Sequence, residues 1–227
     1  PCPEHVVLYA AAAKLGAVTA AVNHRLTSTE RRAVLEVAAP DLVVTTADLA
    51  PDVDALEVTL SADGARVLDG VRVDGEAPPL LVDDPDRPVA VVFTSGTTGI
   101  PKGAVFCGRQ IDFICGVDTG HRWGDPSVPA AHSLSGTSLA HLGPTTKLAG
   151  NLHRGGTTHL IRRWRASDAL RATAEHHMPA LAGIPTQVAL VLRDPTFEET
   201  DLRSVQAVVM GGGPATPALV REARERL

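Results

Sequence analysis

Apolar positions along this chain recur in two rhythms, with helical spacing alternating with short β-branched runs. Thr27 and Glu30 form a capping box that opens a helix to about Ala39. Residues 41–45 then read as a strand. Residues 58–74 read as an irregular β segment with turns at Ala62-Asp63-Gly64 and Asp69-Gly70. The acidic, proline-rich stretch 83–88 is a linker into the strand Val91-Val92-Phe93-Thr94. Residues 108–117 predict a helix, and 118–136, rich in Gly, Pro and Ser, predict no defined element. A helix follows from His141 to about Leu152, then a strand over 157–161. Ser167 or Asp168 caps a helix to His177, a strand covers 180–184 and a helix 186–193. Residues 205–210 form a strand, and Thr216-Pro217 supplies an N-cap and an N1 proline for the last helix. The alternation predicts an α/β fold: largely parallel sheet layers covered by helices. No internal repeat is visible.

Composition narrows the classes without choosing one. At 227 residues, length suggests one or two domains. With 44% hydrophobic and 21% charged residues, a sizeable core is available. A net charge of −5 and 3% aromatics give no footprint for nucleic acid. The one basic cluster, Arg162-Arg163-Trp164-Arg165, reads as a solvated loop between strand and helix. Cys2, Cys107 and Cys115 are too few and too irregular for a disulfide framework or a zinc site, which suits a reducing, cytoplasmic setting. No apolar run approaches the ~20 residues of a membrane span, and no signal peptide is visible.

The most informative segment is Val91-Val92-Phe93-Thr94-Ser95-Gly96-Thr97-Thr98-Gly99-Ile100-Pro101-Lys102-Gly103. A β-branched strand stops abruptly in hydroxyls, glycines and a lysine. Gly96, Gly99 and Gly103 permit positive φ and close backbone approach, so successive N–H groups can form an anion-binding nest. The hydroxyls of Thr94, Ser95, Thr97 and Thr98 add donors, and Lys102 adds a mobile point charge suited to a terminal phosphate. The segment is not a P-loop. Pro101 stands where that motif needs its second glycine, and Lys102 is followed by Gly103 and Ala104.

At every specified position the segment resembles the Thr-Ser-Gly-Thr-Thr-Gly-x-Pro-Lys-Gly signature of adenylate-forming enzymes. That superfamily comprises acyl-CoA synthetases, luciferases and peptide-synthetase adenylation domains. Further segments are similar to the family in its order. Residues 3–18 resemble its helix and Gly-Ala turn, and Asn23-His24-Arg25-Leu26 its Asn-x-Arg-Leu segment. Ala140-His141-Leu142-Gly143 stands at its acyl-pocket histidine, Gly183-Ile184-Pro185-Thr186 at its Gly-x-Pro-Thr segment, and Gly211-Gly212-Gly213-Pro214 at its adenine-side loop. The resemblance implies that residues 1–227 are a fragment of the large N-terminal, ATP- and acyl-binding domain, without the C-terminal lid domain. Its Tyr-Gly-x-Thr-Glu motif, ribose-binding aspartate, hinge and C-terminal lysine have no counterpart here, so the chain by itself is expected to be inactive. A piece of a larger domain is also expected to expose apolar surface and self-associate.

The resemblance implies an AMP-forming acid–thiol ligase that uses a small carboxylic acid, ATP with Mg2+, and CoA. Thr94, Ser95, Gly96, Thr97, Thr98 and Gly99 would hold the β/γ-phosphates with Lys102 screening them, although any single hydroxyl there also suits a simple turn hydrogen bond. His141 would line the acyl pocket beside the substrate carboxylate, against a plain helix-start histidine, with His132 as a rival; Pro144 departs from the family pattern. Gly211, Gly212, Gly213 and Pro214 would lie under adenine, or simply form a strand-to-helix turn. Gly183, Ile184 and Pro185 would wall the acyl pocket, or be core. His176-His177 reads as a helix end, and the remaining histidines show no metal-ligand spacing, so no protein metal site is expected. A peptide-synthetase adenylation domain and a non-catalytic nucleotide-binding remnant are the competing readings.

Overall fold

The structure is a computed structural model and describes residues 1–50, 54–61, 66, 68–94, 101–118 and 131–227. The chain forms two compact units. One comprises Cys2–Trp123 with Ser138–Gly150, the other Pro1, Gly124–Thr137 and Asn151–Leu227.

In the first unit, helix α1 (Pro3–Leu15) begins with a proline, where the missing N–H needs no partner. It ends at Gly16, whose φ of 71° is left-handed. Gly16 N donates to Ala13 O and Ala17 N to Ala12 O (3.2 and 2.9 Å), the paired closure that satisfies the last carbonyls. The short strand β1 (Thr19–Ala20) follows, then α2 (Ser28–Ala38) behind the expected capping box. Thr27 Oγ1 accepts from Glu30 N, and Glu30 Oε2 accepts from Thr27 N at 2.7 Å.

The strand expected over 41–45 contracts to β2 (Val44–Thr45), which pairs in parallel with β3 (Leu56–Glu57). The β segment expected over 58–74 is not a strand in its described residues. Leu68 lies at φ 60°, and Val71 N donates to Leu68 O (3.0 Å) within a 3-10 turn over Asp69–Val71. Local turn bonds take the donors that a ladder would need. The expected turn at 62–64 lies outside the described residues.

The linker delivers β4 (Pro88–Thr94), which lies between β1, in parallel, and β5 (Lys102–Cys107), antiparallel. The sequence pattern did not predict β5. Helix α3 (Gly108–Asp118) follows at once, its entry marked by Cys107 N donating to Gln110 Oε1 (2.7 Å). Tyr9, Ala90, Leu139 and Leu148 form the core of this unit, with Val6 and Val89 packed on it.

The second unit opens on β6 (His132–Ser135), a strand within the stretch given no element above. Helix α4 (Leu142–His153) starts in the first unit and ends in the second. Strand β7 (Thr157–Leu160) runs parallel to β6, and Gly136 leaves room for the Trp164 ring, which any Cβ there would strike. Helix α5 (Ala166–Glu175) has Arg165, not Ser167 or Asp168, at its N-cap. Asp168 lies inside the first turn and pairs with Arg171 at 2.8 Å.

Strand β8 (Ala180–Gly183), helix α6 (Pro185–Leu192), strand β9 (Ala207–Met210) and helix α7 (Pro217–Arg226) follow as expected. Thr216 caps α7 by accepting from Leu219 N (3.2 Å). Strands β8 and β9 are parallel, and Leu170, Leu181, Val188, Val191, Leu192, Phe197 and Ala223 close a shared apolar core. Each fully buried Leu or Val there is worth about 1.5–3 kcal/mol. Arg226 ties the end of α7 to this core: its guanidinium lies 4.4 Å from the Phe197 ring centroid and donates to Leu192 O at 2.7 Å.

Of the five strand pairings described, β4–β5 alone is antiparallel, so the α/β, largely parallel expectation holds with one hairpin added. No helix among the described residues is long and apolar enough to cross a membrane.

Candidate active site

Strands β4 and β5 put the two ends of the signature loop opposite each other. Thr94 and Lys102 are register partners, and Thr94 Oγ1 donates to Lys102 O at 3.4 Å. Both residues are exposed at the mouth of the hairpin. Ser95, Gly96, Thr97, Thr98 and Gly99 lie outside the described residues.

Gly103 has a different reason from the one expected. It is not among the glycines at positive φ, and it lies in β5 opposite Phe93. A Cβ there would stand 2.7 Å from Val91 Cγ1 and 3.2 Å from the Phe93 ring. Gly103 is thus required by close packing across the hairpin and contributes no left-handed nest residue.

In the second unit, two predicted segments become neighbours. The register pairs Gly183 with Met210, so β8 and β9 release their turns side by side at their carboxyl ends, where open parallel sheets bind ligands. Gly211 N donates to Gly183 O (3.2 Å), extending the ladder by one bond. Gly212 turns the chain at φ 77°, a left-handed geometry that favours glycine. A Cβ on Gly212 would meet Ile184 Cγ2 at 3.3 Å, and one on Gly213 would lie 3.8 Å from Pro185 Cδ. Residues 211–214 are exposed, leaving bare backbone available to a flat ring.

Pro185 is buried beneath this turn, while Ile184 is partly exposed at 38%. Gln187, which the sequence reading did not single out, fixes the corner: its Oε1 accepts from Ile184 N at 3.0 Å. The cavity lined by Gly183, Leu181, Val188 and Trp164 measures about 10 Å³, room for one water and not for an acyl group.

His141 stands at the head of α4. Its backbone N donates to Ser138 O (3.0 Å), and its carbonyl accepts from Thr145 N (3.1 Å). Pro144 falls in the first helical turn, where no N–H is needed, so its departure from the family pattern leaves the helix intact. The exposed imidazole Nε2 lies 3.5 Å from Asn23 Nδ2, and Asn23 Oδ1 accepts from Arg25 N in its own tight turn. Asn23 belongs to the Asn-x-Arg-Leu segment, the signal by which sequence reading could have found it. Two segments noted separately in the sequence therefore meet. His132, the rival to His141, is instead part of β6.

Although no local spacing suggested a metal site, His132, His159 and His176 come together, with one ring nitrogen of each within 4.8 Å of the others.

None of Thr94, Lys102, Gly183, Ile184, Pro185 or residues 211–214 is a carboxylate. These segments therefore give Mg2+ no protein ligand of the kind it prefers.

Comparison with known proteins agrees with this fold. The sequence profile described as "AMP-binding enzyme" matches residues 1–227. The chain is 27% identical to a 4-chlorobenzoate–CoA ligase from Arthrobacter, covering 96% of the chain and 43% of the ligase. It is also 27% identical to a fatty acid–[acyl-carrier-protein] ligase, ScoC, from Streptomyces coeruleorubidus, covering 92% of the chain and 42% of that protein. Among solved structures it is similar to O-succinylbenzoate coenzyme A synthetase from Bacillus subtilis in complex with AMP. That match has a TM-score of 0.76 and 23% identity, over 98% of this chain and 55% of that one. The synthetase is also known in complex with ATP and magnesium ion. The chain thus spans less than half the length of these curated relatives.

Proposed function

The chain belongs to the AMP-binding enzyme family, and from that premise we propose that it is part of an AMP-forming acid–thiol ligase. A carboxylate attacks the α-phosphorus of ATP, pyrophosphate leaves, and the acyl-adenylate passes its acyl group to the thiol of CoA. The observation that carries this reading is the hairpin mouth, with Thr94 and Lys102 facing across a ten-position donor-rich signature.

As the bond to the leaving pyrophosphate breaks, negative charge grows on its oxygens. Donors already fixed around it favour that transition state over the ground state. Thr94, Ser95, Thr97 and Thr98, with the N–H groups of Gly96 and Gly99, hold the β/γ-phosphates, and Lys102 screens them. Gly211, Gly212, Gly213 and Pro214 give adenine a flat backbone surface. Ile184 and Pro185, with Gly183 behind them, belong to that same corner, so we assign them to the edge of the nucleotide turn as well as to the acyl wall.

His141 lines the carboxylate side, oriented by Asn23. Mg2+, which neutralises triphosphate charge when bound, enters with the phosphates, since the residues assigned here offer it no carboxylate. Other parts of the protein supply the remaining chemistry.

The similarity to ScoC favours a second acceptor, the thiol of an acyl-carrier protein. The substrate acid is aryl or aliphatic, as both kinds are named among the relatives.

Acid-dependent exchange of radiolabelled pyrophosphate into ATP by the full-length protein tests the first half-reaction. Exchange with one of a panel of aryl and fatty acids is expected. A folded protein that neither exchanges with any acid nor binds ATP would overturn the assignment. Offering CoA or a carrier protein to the adenylate then separates the two acceptors.

A further inference from the structure

We propose that His132, His159 and His176 form a binding site for a borderline divalent transition metal such as Zn2+ or Co2+, separate from the phosphate chemistry. The three lie in one unit but on three elements. His132 opens β6, His159 is in β7 and His176 caps the end of α5. In the parallel register His159 pairs with Leu134, two residues beyond His132, so both imidazoles project from one face of the sheet. His176 closes over them, with ring centroids 4.1 Å from His159 and 5.0 Å from His132.

Three features suit a cation. First, His132 Nδ1 and His159 Nε2 are 2.9 Å apart and share one proton, so one of the two presents a lone pair inward. Tetrahedral Zn–N bonds of about 2.0–2.1 Å put ligand nitrogens roughly 3.4 Å apart. The three nitrogens lie within 4.8 Å of one another, and the near-parallel rings reach that spacing by turning their nitrogens toward a common centre.

Second, all three side chains are imidazoles, common metal ligands in proteins. A ring that ligates through one nitrogen keeps its proton on the other.

Third, the site lies where α5 ends, at the negative pole of the helix dipole. Glu175 Oε1 is 3.9 Å from His176 Nε2 and adds an anionic neighbour. Three imidazoles select Zn2+, Co2+, Ni2+ or Cu2+ and reject Mg2+, which demands oxygen ligands. Side chains partly exposed to solvent leave the metal a way in and a fourth position for water.

The test uses the tag-free full-length protein after EDTA treatment and dialysis, with CoCl2 as the probe. At pH 7.5 we expect one Co2+ per chain with visible d–d absorption of a four-coordinate site, ZnCl2 displacing it, and millimolar MgCl2 leaving it in place. His159→Asn and His176→Asn should each weaken binding by more than about tenfold. His177→Asn, next in sequence and at φ 47° where asparagine is at ease, should leave it unchanged.

If a cluster variant fails to fold, the wild-type protein decides alone: added Zn2+ should raise its Tm. The proposal is overturned if wild-type protein gives no four-coordinate spectrum, or if His159→Asn and His176→Asn bind Co2+ as tightly as wild type. Pyrophosphate exchange is measured on the same samples, so loss of the metal site and loss of adenylation register separately.

Discussion

Two glycine-rich segments of the chain look alike in sequence and differ in what the glycine is for. In the hairpin of β4 and β5, Gly103 has extended backbone and is needed because Val91 and Phe93 occupy the space of its missing side chain. In the turn after β9, Gly212 is needed mainly for its left-handed φ of 77°, with Ile184 as a secondary restraint. Gly211, beside it, has ordinary backbone and open space where a Cβ would go. A glycine-rich motif is therefore a mixture of steric, conformational and dispensable positions, and only the first two constrain the fold.

The sharpest separation comes from a residue that is not glycine. Lys102→Ala in the full-length protein is expected to cut pyrophosphate exchange about a hundredfold, as loss of one transition-state donor does, while the urea midpoint stays put. Gly103→Ala should do the reverse. Forcing a methyl against Val91 costs about 1–3 kcal/mol, read as a lower midpoint in denaturant unfolding. Pairing it with Val91→Ala should recover part of that loss if the clash is the cause.

Gly212→Ala should cost about 1 kcal/mol through its backbone angle and weaken ATP binding, seen as a raised KM for ATP. Gly211→Ala should change stability by no more than about 0.5 kcal/mol. Equal losses for Gly103→Ala and Gly211→Ala would erase the distinction.

Much of this was legible in the residues, for local reasons. The capping box at Thr27 and Glu30 and the Thr216-Pro217 start of α7 depend on neighbours in sequence, and both stand as predicted. What escaped was set by partners far along the chain. Lys102-Gly103-Ala104 carries no strong strand signal, yet it becomes β5 because β4 offers it an edge. The polar start His132-Ser133 becomes strand β6 for the same reason, beside β7.

The histidine cluster was invisible because its members belong to three elements that only the tertiary fold brings together. The two halves of the candidate nucleotide corner were each recognisable, but their adjacency needed the pairing of Gly183 with Met210. At α5, Ser167 and Asp168 were equally good caps on paper, and the helix instead began two residues earlier.

The pairing of Thr19 with Ala90 has a kinetic consequence. That ladder must close a long stretch of chain before it gains anything, whereas Ala180 and Ala207 meet across a much shorter loop. Amides of β8 and β9 should accordingly acquire protection earlier than those of β1 in pulse-labelled hydrogen exchange during refolding. The order of assembly then runs against the order of synthesis: β1, made before β8 and β9, waits longer for its partner.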